Sequence, residues 1–216
     1  MAHHTTEGTG VLRLTAVTPV IQALFGGYAL DASHPGEGQA YIWKSTDEGY
    51  ATWEDVAGNL QDLAKELGLA EDEPHLSIPD LIELLAKHYA KGESVDLPKL
   101  DPEIEDDAHL DELFEIAKVL DDGHGLVSVE MQCADYCNKP WLGEFGGHGF
   151  YMGRGVVASS GAHTAVLVGK KLDEAVLAKD IDASVEILRK QLAETLNWIS
   201  DPEVKLEVAK RLGLPG

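Results

Sequence analysis

Apolar residues recur along this chain with two different periods, and the alternation between those periods predicts an α+β protein. A period of two marks strands. Val11 to Val17 reads as one, Ala40 to Lys44 as a second around Tyr41, Ile42 and Trp43, and Gly125 to Cys133 as a third, where Val127 and Val129 alternate with Ser128 and Glu130. Phe150–Ser160 and Thr164–Lys170 are predicted as further strands, joined by a hairpin at Ser159–Gly161.

Helical spacing governs the rest. Thr18 and Pro19 have the form of an N-cap and first helical residue ahead of Val20, Ile21, Leu24 and Phe25, with Gly26 and Gly27 as the stop. Thr52 and Asp55 form a capping-box pattern before Trp53, Val56, Leu60, Leu63 and Leu67, and Gly68 ends that helix. Ser77, Pro79 and Asp80 open another with Leu81, Ile82, Leu85 and Tyr89 on one face. A further helix spans about 108–120, with Leu110, Leu113, Phe114 and Ala117 inward and Asp111, Glu112 and Glu115 outward. Val185, Leu188, Leu192, Leu196 and Ile199 then repeat at helical spacing, and Asp201 with Pro202 starts a last helix ending near Gly213.

These elements predict a mixed, mostly antiparallel sheet of four or five strands, with an acidic helical segment inserted between strands and C-terminal helices covering one sheet face. The expected organisation is a single α+β domain over 1–216, with 46–122 the acidic helical insertion and 123–171 a Gly-rich β region. Residues 1–10, small and polar, read as a loose start, and the connection from Ala134 to Gly149 as the longest irregular element.

Charge changes this picture more than composition does. An apolar content of 44% is enough for a packed core, but the formal net charge of -21 is extreme. Residues 45–122 hold 23 acidic and 5 basic side chains, so a net -18 falls in one third of the chain. That balance argues against direct binding of nucleic acid or an anionic membrane surface. The charge run is patterned into helices, which sets it apart from a disordered acidic tail. Solvated helix faces or adaptation to salt would account for it. So would a surface that imitates a polyanion and engages a basic protein. Duplex DNA carries about one charge per 1.7 Å of axis, so imitation needs many carboxylates on one face. The candidates are Glu71, Asp72 and Glu73, then Asp101, Glu103, Glu105, Asp106 and Asp107, supported by stripes at Asp47, Glu48, Glu54, Asp55, Asp62 and Glu66. The acidic loop at Asp101–Asp107 lacks the glycine and terminal Glu of an EF-hand.

The Gly-rich region supplies the alternative chemistry. Cys133, Cys137, His148 and His163 have the ligand types of a zinc site, though the C-x3-C-x10-H-x14-H spacing departs from a C-x2-C knuckle. Cys137 or Cys133 with His148 and Asp135 or Glu144 supplies the residue types of a thiol nucleophile, base and orienting acid. Buried thiols and turn histidines are the plain counter-reading. The glycine runs at 146–149 and 153–155 lack the Lys-Ser/Thr of a phosphate loop. Trp141 and Phe145, among the aromatics there, are candidates for a protein-binding hot spot or for burial in an oligomer.

Two cysteines point to reduced thiols and a cytoplasmic location. The apolar stretch from Val11 to Leu30 lacks a basic n-region and is broken by Pro19 and the glycine pair, so neither a signal peptide nor a membrane span is expected. The leading expectation is a non-enzymatic acidic binding protein without a cofactor, engaging a basic and nucleic-acid-binding partner. A DNA-mimicking inhibitor or anti-defence protein is its most specific form. The alternative is a small metal-binding or cysteine-dependent enzyme centred on the Cys/His loop, and a structural subunit is a third possibility.

Overall fold

The computed structural model describes residues 3–46, 51–70, 76–90, 107–139 and 145–214. Among these the chain forms six strands and seven α-helices: β1 (His4–Arg13), α1 (Pro19–Phe25), β2 (Asp31–Pro35), β3 (Gln39–Ser45), α2 (Trp53–Glu66), α3 (Ile78–Tyr89), α4 (Leu110–Val119), β4 (Ser128–Cys137), β5 (Gly146–Gly153), β6 (Val157–Gly161), α5 (Ala162–Leu177), α6 (Ile181–Leu196) and α7 (Pro202–Arg211). The strands form one antiparallel sheet in the order β2-β3-β1-β4-β5-β6. The α+β class is as the periodicity predicts, with six strands in place of four or five.

By contact the chain divides into two compact units, Thr5–Glu130 and the described residues of Met1–His4 with Met131–Gly216. In the first, β1 pairs with β3 from Glu7↔Ser45 to Arg13↔Gln39. Helix α1 packs against α2 and α4, and α2 against α3. Leu12 and Ile42 from the sheet, Ile21, Leu24 and Phe25 from α1, Trp53 and Leu60 from α2, Leu81 and Leu85 from α3, and Leu113, Phe114 and Ile116 from α4 are all fully buried. Burying a large apolar side chain is worth about 1.5–3 kcal/mol, so this cluster is the main source of the unit's stability.

Caps fix where the helices begin. Thr52 Oγ1 accepts the Asp55 amide at 3.2 Å while Asp55 Oδ2 accepts the Thr52 amide at 3.1 Å, the reciprocal box expected from sequence. Ser77 Oγ accepts the Asp80 amide at the start of α3. Helix α1 is a correction. Thr18 makes no cap bond with its own side chain. Its hydroxyl donates to Asp122 Oδ1 at 2.6 Å, and Asp122 Oδ2 accepts the Val20 amide at 3.2 Å, so a carboxylate 104 residues away in sequence caps α1. Next to Asp122, His124 is buried and bonded at both ring nitrogens: Nδ1 accepts the Leu126 amide and Nε2 lies 3.0 Å from the Ala117 carbonyl. That arrangement requires the neutral tautomer with its proton on Nε2.

Several other sequence readings are overturned. Thr164–Lys170 is no strand but part of the sixteen-residue α5, so Ser159–Gly161 is not a hairpin; the single strand expected at Phe150–Ser160 is instead two antiparallel strands, β5 and β6, with the turn between them at Arg154–Val156. The predicted strand at Val11–Val17 lies further toward the N-terminus, because β1 already starts at His4 and ends at Arg13. The long irregular connection shrinks from both ends, since β4 continues to Cys137 and β5 begins at Gly146. A Cβ at Gly147 would sit 2.9 Å from the Cys133 carbonyl oxygen, so glycine there permits close strand approach where it reads as a turn signal.

In the second unit α5 packs on β5 and α6, and α6 on α7. Leu196, Ala209 and Leu214 make a small core joined by Ile199 and Val208. The Val157 amide donates to the Trp198 carbonyl at 2.8 Å and the Ser200 amide to the Gly155 carbonyl at 3.1 Å, tying the β5–β6 turn to the α6–α7 junction.

Candidate functional site

The acidic side chains stand on helices that bury one face and turn the other to solvent. On α2, Trp53, Val56, Leu60 and Leu63 are buried, and Glu54, Asp55, Asp62 and Glu66 are exposed. On α3, Leu81, Ile82 and Leu85 are buried against exposed Asp80 and Glu83. On α4, Leu113, Phe114 and Ala117 face the core as expected, while Asp111 and Glu115 are exposed. The apolar stripe of each helix fixes the direction in which its carboxylates point.

The basic side chains on these helices sit beside their own helix's acids. Lys65 lies 3.7 Å from Asp62, Lys118 lies 2.7 Å from Glu115, and Lys87 pairs with Glu83, each at i,i+3 or i,i+4 spacing. Such exposed pairs contribute roughly 0.3–0.5 kcal/mol each and leave most of the acidic charge uncompensated. Asp62 and Glu66, one turn apart, line a groove of about 380 Å³ between α1 and α2 with Gln22, Asn59 and Leu63. Among the described residues no cationic side chain lines it.

Some carboxylates are committed to structure. Asp55 and Asp80 belong to caps, Asp122 caps α1, and Asp121 Oδ1 accepts the Gly123 amide. Hydrogen bonds from the Ser33 hydroxyl and amide hold the Asp31 carboxyl below its ordinary range. Of the acidic candidates singled out in sequence, Asp107 is described: it is half-buried and bridged to Thr52, next to the Ala108 amide that donates to the Ala51 carbonyl at 2.8 Å. Tyr28 Oη donates to the Ala108 carbonyl at 2.6 Å and fixes the same point. Asp47, Glu48, Glu71, Asp72, Glu73, Asp101, Glu103, Glu105, Asp106, Trp141 and Glu144 lie outside the described residues. Phe145 is described and exposed.

The Cys/His candidates are placed by the pleat of β4. Met131, Cys133, Asp135 and Cys137 alternate onto one face, where both thiols are buried and neither forms a disulfide. His148 on β5 meets Asp135: Nδ1 lies 3.2 Å from Asp135 Oδ2, with both side chains about two-fifths exposed. His163, exposed near the start of α5, has its Nε2 3.9 Å from the position a Gly146 Cβ would take, and Asp135 Oδ2 is 3.7 Å from that point. Among the described residues no group of three or more His, Cys, Asp or Glu side chains is placed to hold a metal ion. The strand therefore pairs His148 with Asp135, which an alternation-based reading of β4 and β5 could have found. The cysteines lie on either side of Asp135 along β4.

No family model, curated protein or solved structure matches the chain. Among the described residues no helix is long and apolar enough to cross a membrane.

Proposed function

We propose that this protein is a non-enzymatic acidic binding protein whose helical surface engages a basic, nucleic-acid-binding protein, in its most specific form as a DNA-mimicking inhibitor. The observation that carries the reading is the exposure of Glu54, Asp62 and Glu66 on α2, Glu83 on α3 and Asp111 and Glu115 on α4, where Lys65, Lys87 and Lys118 sit beside acids of their own helices. A net -18 over residues 45–122 would attract a cationic partner over about a Debye length, speeding encounter at low salt and losing that advantage as salt rises. The groove between α1 and α2, with Asp62 and Glu66, suits the head of a partner Arg or Lys.

The test is affinity capture at low and high salt with duplex DNA as competitor, run beside D62N/E66Q and beside a variant neutralised at Glu71–Glu73 and Asp101–Asp107. Retention of a basic protein that duplex DNA displaces, and that both variants lose, supports the proposal. Retention indifferent to salt, DNA and neutralisation overturns it.

A second reading, a small metal-binding or cysteine-dependent enzyme, has the Asp135–His148 pair in its favour, because a carboxylate on Nδ1 orients the ring and leaves Nε2 as a base. Burial of both thiols weighs against their acting as nucleophiles.

A further inference from the structure

Helix α6 is amphipathic in an unusual direction. The positions it shields are Ala183, Ser184, Ile187, Gln191, Thr195 and, in its last turn, Leu196, of which Ile187 and Gln191 line the groove toward α5 and Leu196 packs with Ala209 of α7. Its apolar stripe is elsewhere: Ile181, Val185, Leu188 and Leu192 are 71, 40, 54 and 39% exposed. At about 100° per residue these four fall within one narrow sector, the a/d seam of a two-heptad coiled coil.

The stripe is also a palindrome. Its spacings run four, three, four, so an antiparallel second copy can meet it in register along its whole length. Turned antiparallel, a second copy places Ile181 against Leu192 and Val185 against Leu188. The flanking charges select the same arrangement. Asp182 and Arg189 occupy equivalent positions seven residues apart on one flank of the stripe, the pair that meets across an antiparallel seam. Among the described residues neither has an ion-pair partner in its own chain. A parallel pair would set Asp182 and Arg189 against uncharged flanks.

We infer that α6 is a self-association surface on which two copies pair antiparallel, Asp182 of each copy meeting Arg189 of the other. This does not depend on the acidic surface being functional. The seam is short, so it sits at the weak end of protein interfaces and the equilibrium is read at roughly 10 µM to 1 mM.

The experiment is sedimentation equilibrium of the full chain at a fixed ionic strength of about 0.15 M, which screens repulsion between two strongly acidic copies. The wild type should show a monomer–dimer equilibrium. L188E, a change at an exposed position, should weaken it by about tenfold or more with unchanged far-UV circular dichroism. D182R and R189D should each weaken it about three- to tenfold, and the double variant D182R/R189D should restore it to within about twofold. A chain that stays monomeric throughout the concentration range overturns the inference. So does a dimer that ignores L188E, or a charge swap no tighter than its single changes.

Discussion

Replacing Asp122 with alanine is the sharpest probe of how the first unit is held together. Its carboxylate accepts two hydrogen bonds, from the Thr18 hydroxyl at 2.6 Å and from the Val20 amide at 3.2 Å, at the N-terminus of a helix whose Val20, Ile21, Leu24 and Phe25 are fully buried. A hydrogen bond to a charged acceptor is worth about 1.5–3 kcal/mol, and a carboxylate near a helix N-terminus adds about 0.3–1 kcal/mol. The site is only partly buried, so these do not sum in full. D122A should cost about 2–4 kcal/mol, D122N about half of that, and T18A about 1 kcal/mol because the Val20 amide keeps its acceptor. Urea unfolding followed by tryptophan fluorescence, with buried Trp53 as a native probe, reads these losses as lower midpoints at constant slope. A second signal is independent of stability. The Tyr89 phenol is pushed up by burial and, less strongly, by the Asp122 charge, so D122N should move its titration back toward the ordinary value. A D122A cost below about 0.5 kcal/mol, or a T18A cost above that of D122A, would refute the role of Asp122 as the cap of α1.

Two further outcomes follow from the same geometry. T52A removes the acceptor for the Asp55 amide and one half of the α2 capping box, and should lower stability by about 1 kcal/mol in the same assay. Cys133 and Cys137, buried on β4, should react with a thiol reagent only slowly in native buffer and rapidly once unfolded; rapid native labelling titrating well below the ordinary thiol range of about 8.5 would favour the enzyme reading instead.

Much of the helical framework was legible because two signals coincide at each start. A capping residue and an apolar 3.6-residue period agree at Thr52, Ser77 and Asp201, and the helices begin there. At Thr18 the position of the helix was right and its cap was not, since the bond that matters comes from Asp122, a contact between residues remote in sequence. The strand expected at Thr164–Lys170 covered only seven residues beside a supposed hairpin at Ser159–Gly161. The helix runs on to Leu177, with Val168 and Leu172 half-shielded and Ala175 buried at helical spacing, a period the shorter window does not hold. Strand β2 gave no alternation because all five of its residues are exposed. Gly146 and Gly147 look like turn residues, yet they belong to β5.

For the site, the sequence set out residue types and the fold decided which of them meet. Asp135 and His148 come together because β4 and β5 pair antiparallel around Gly147, while the pleat buries Cys133 and Cys137. The outward direction of the carboxylates on α2, α3 and α4 was readable in advance from the apolar stripes opposite them. The exposed seam on α6 was not: its apolar period predicts a helix but cannot say whether that face turns inward.

A salt titration of the captured complex is the decisive experiment on the proposal that the outward carboxylates bind a basic partner as DNA does. The partner's affinity should fall steeply and linearly with the logarithm of salt concentration, duplex DNA should compete with it, and D62N/E66Q should reduce both affinity and slope. A complex whose affinity is flat in salt and unmoved by D62N/E66Q and by neutralisation of Glu71–Glu73 and Asp101–Asp107 would contradict the account and leave the acidic helices as solvated faces.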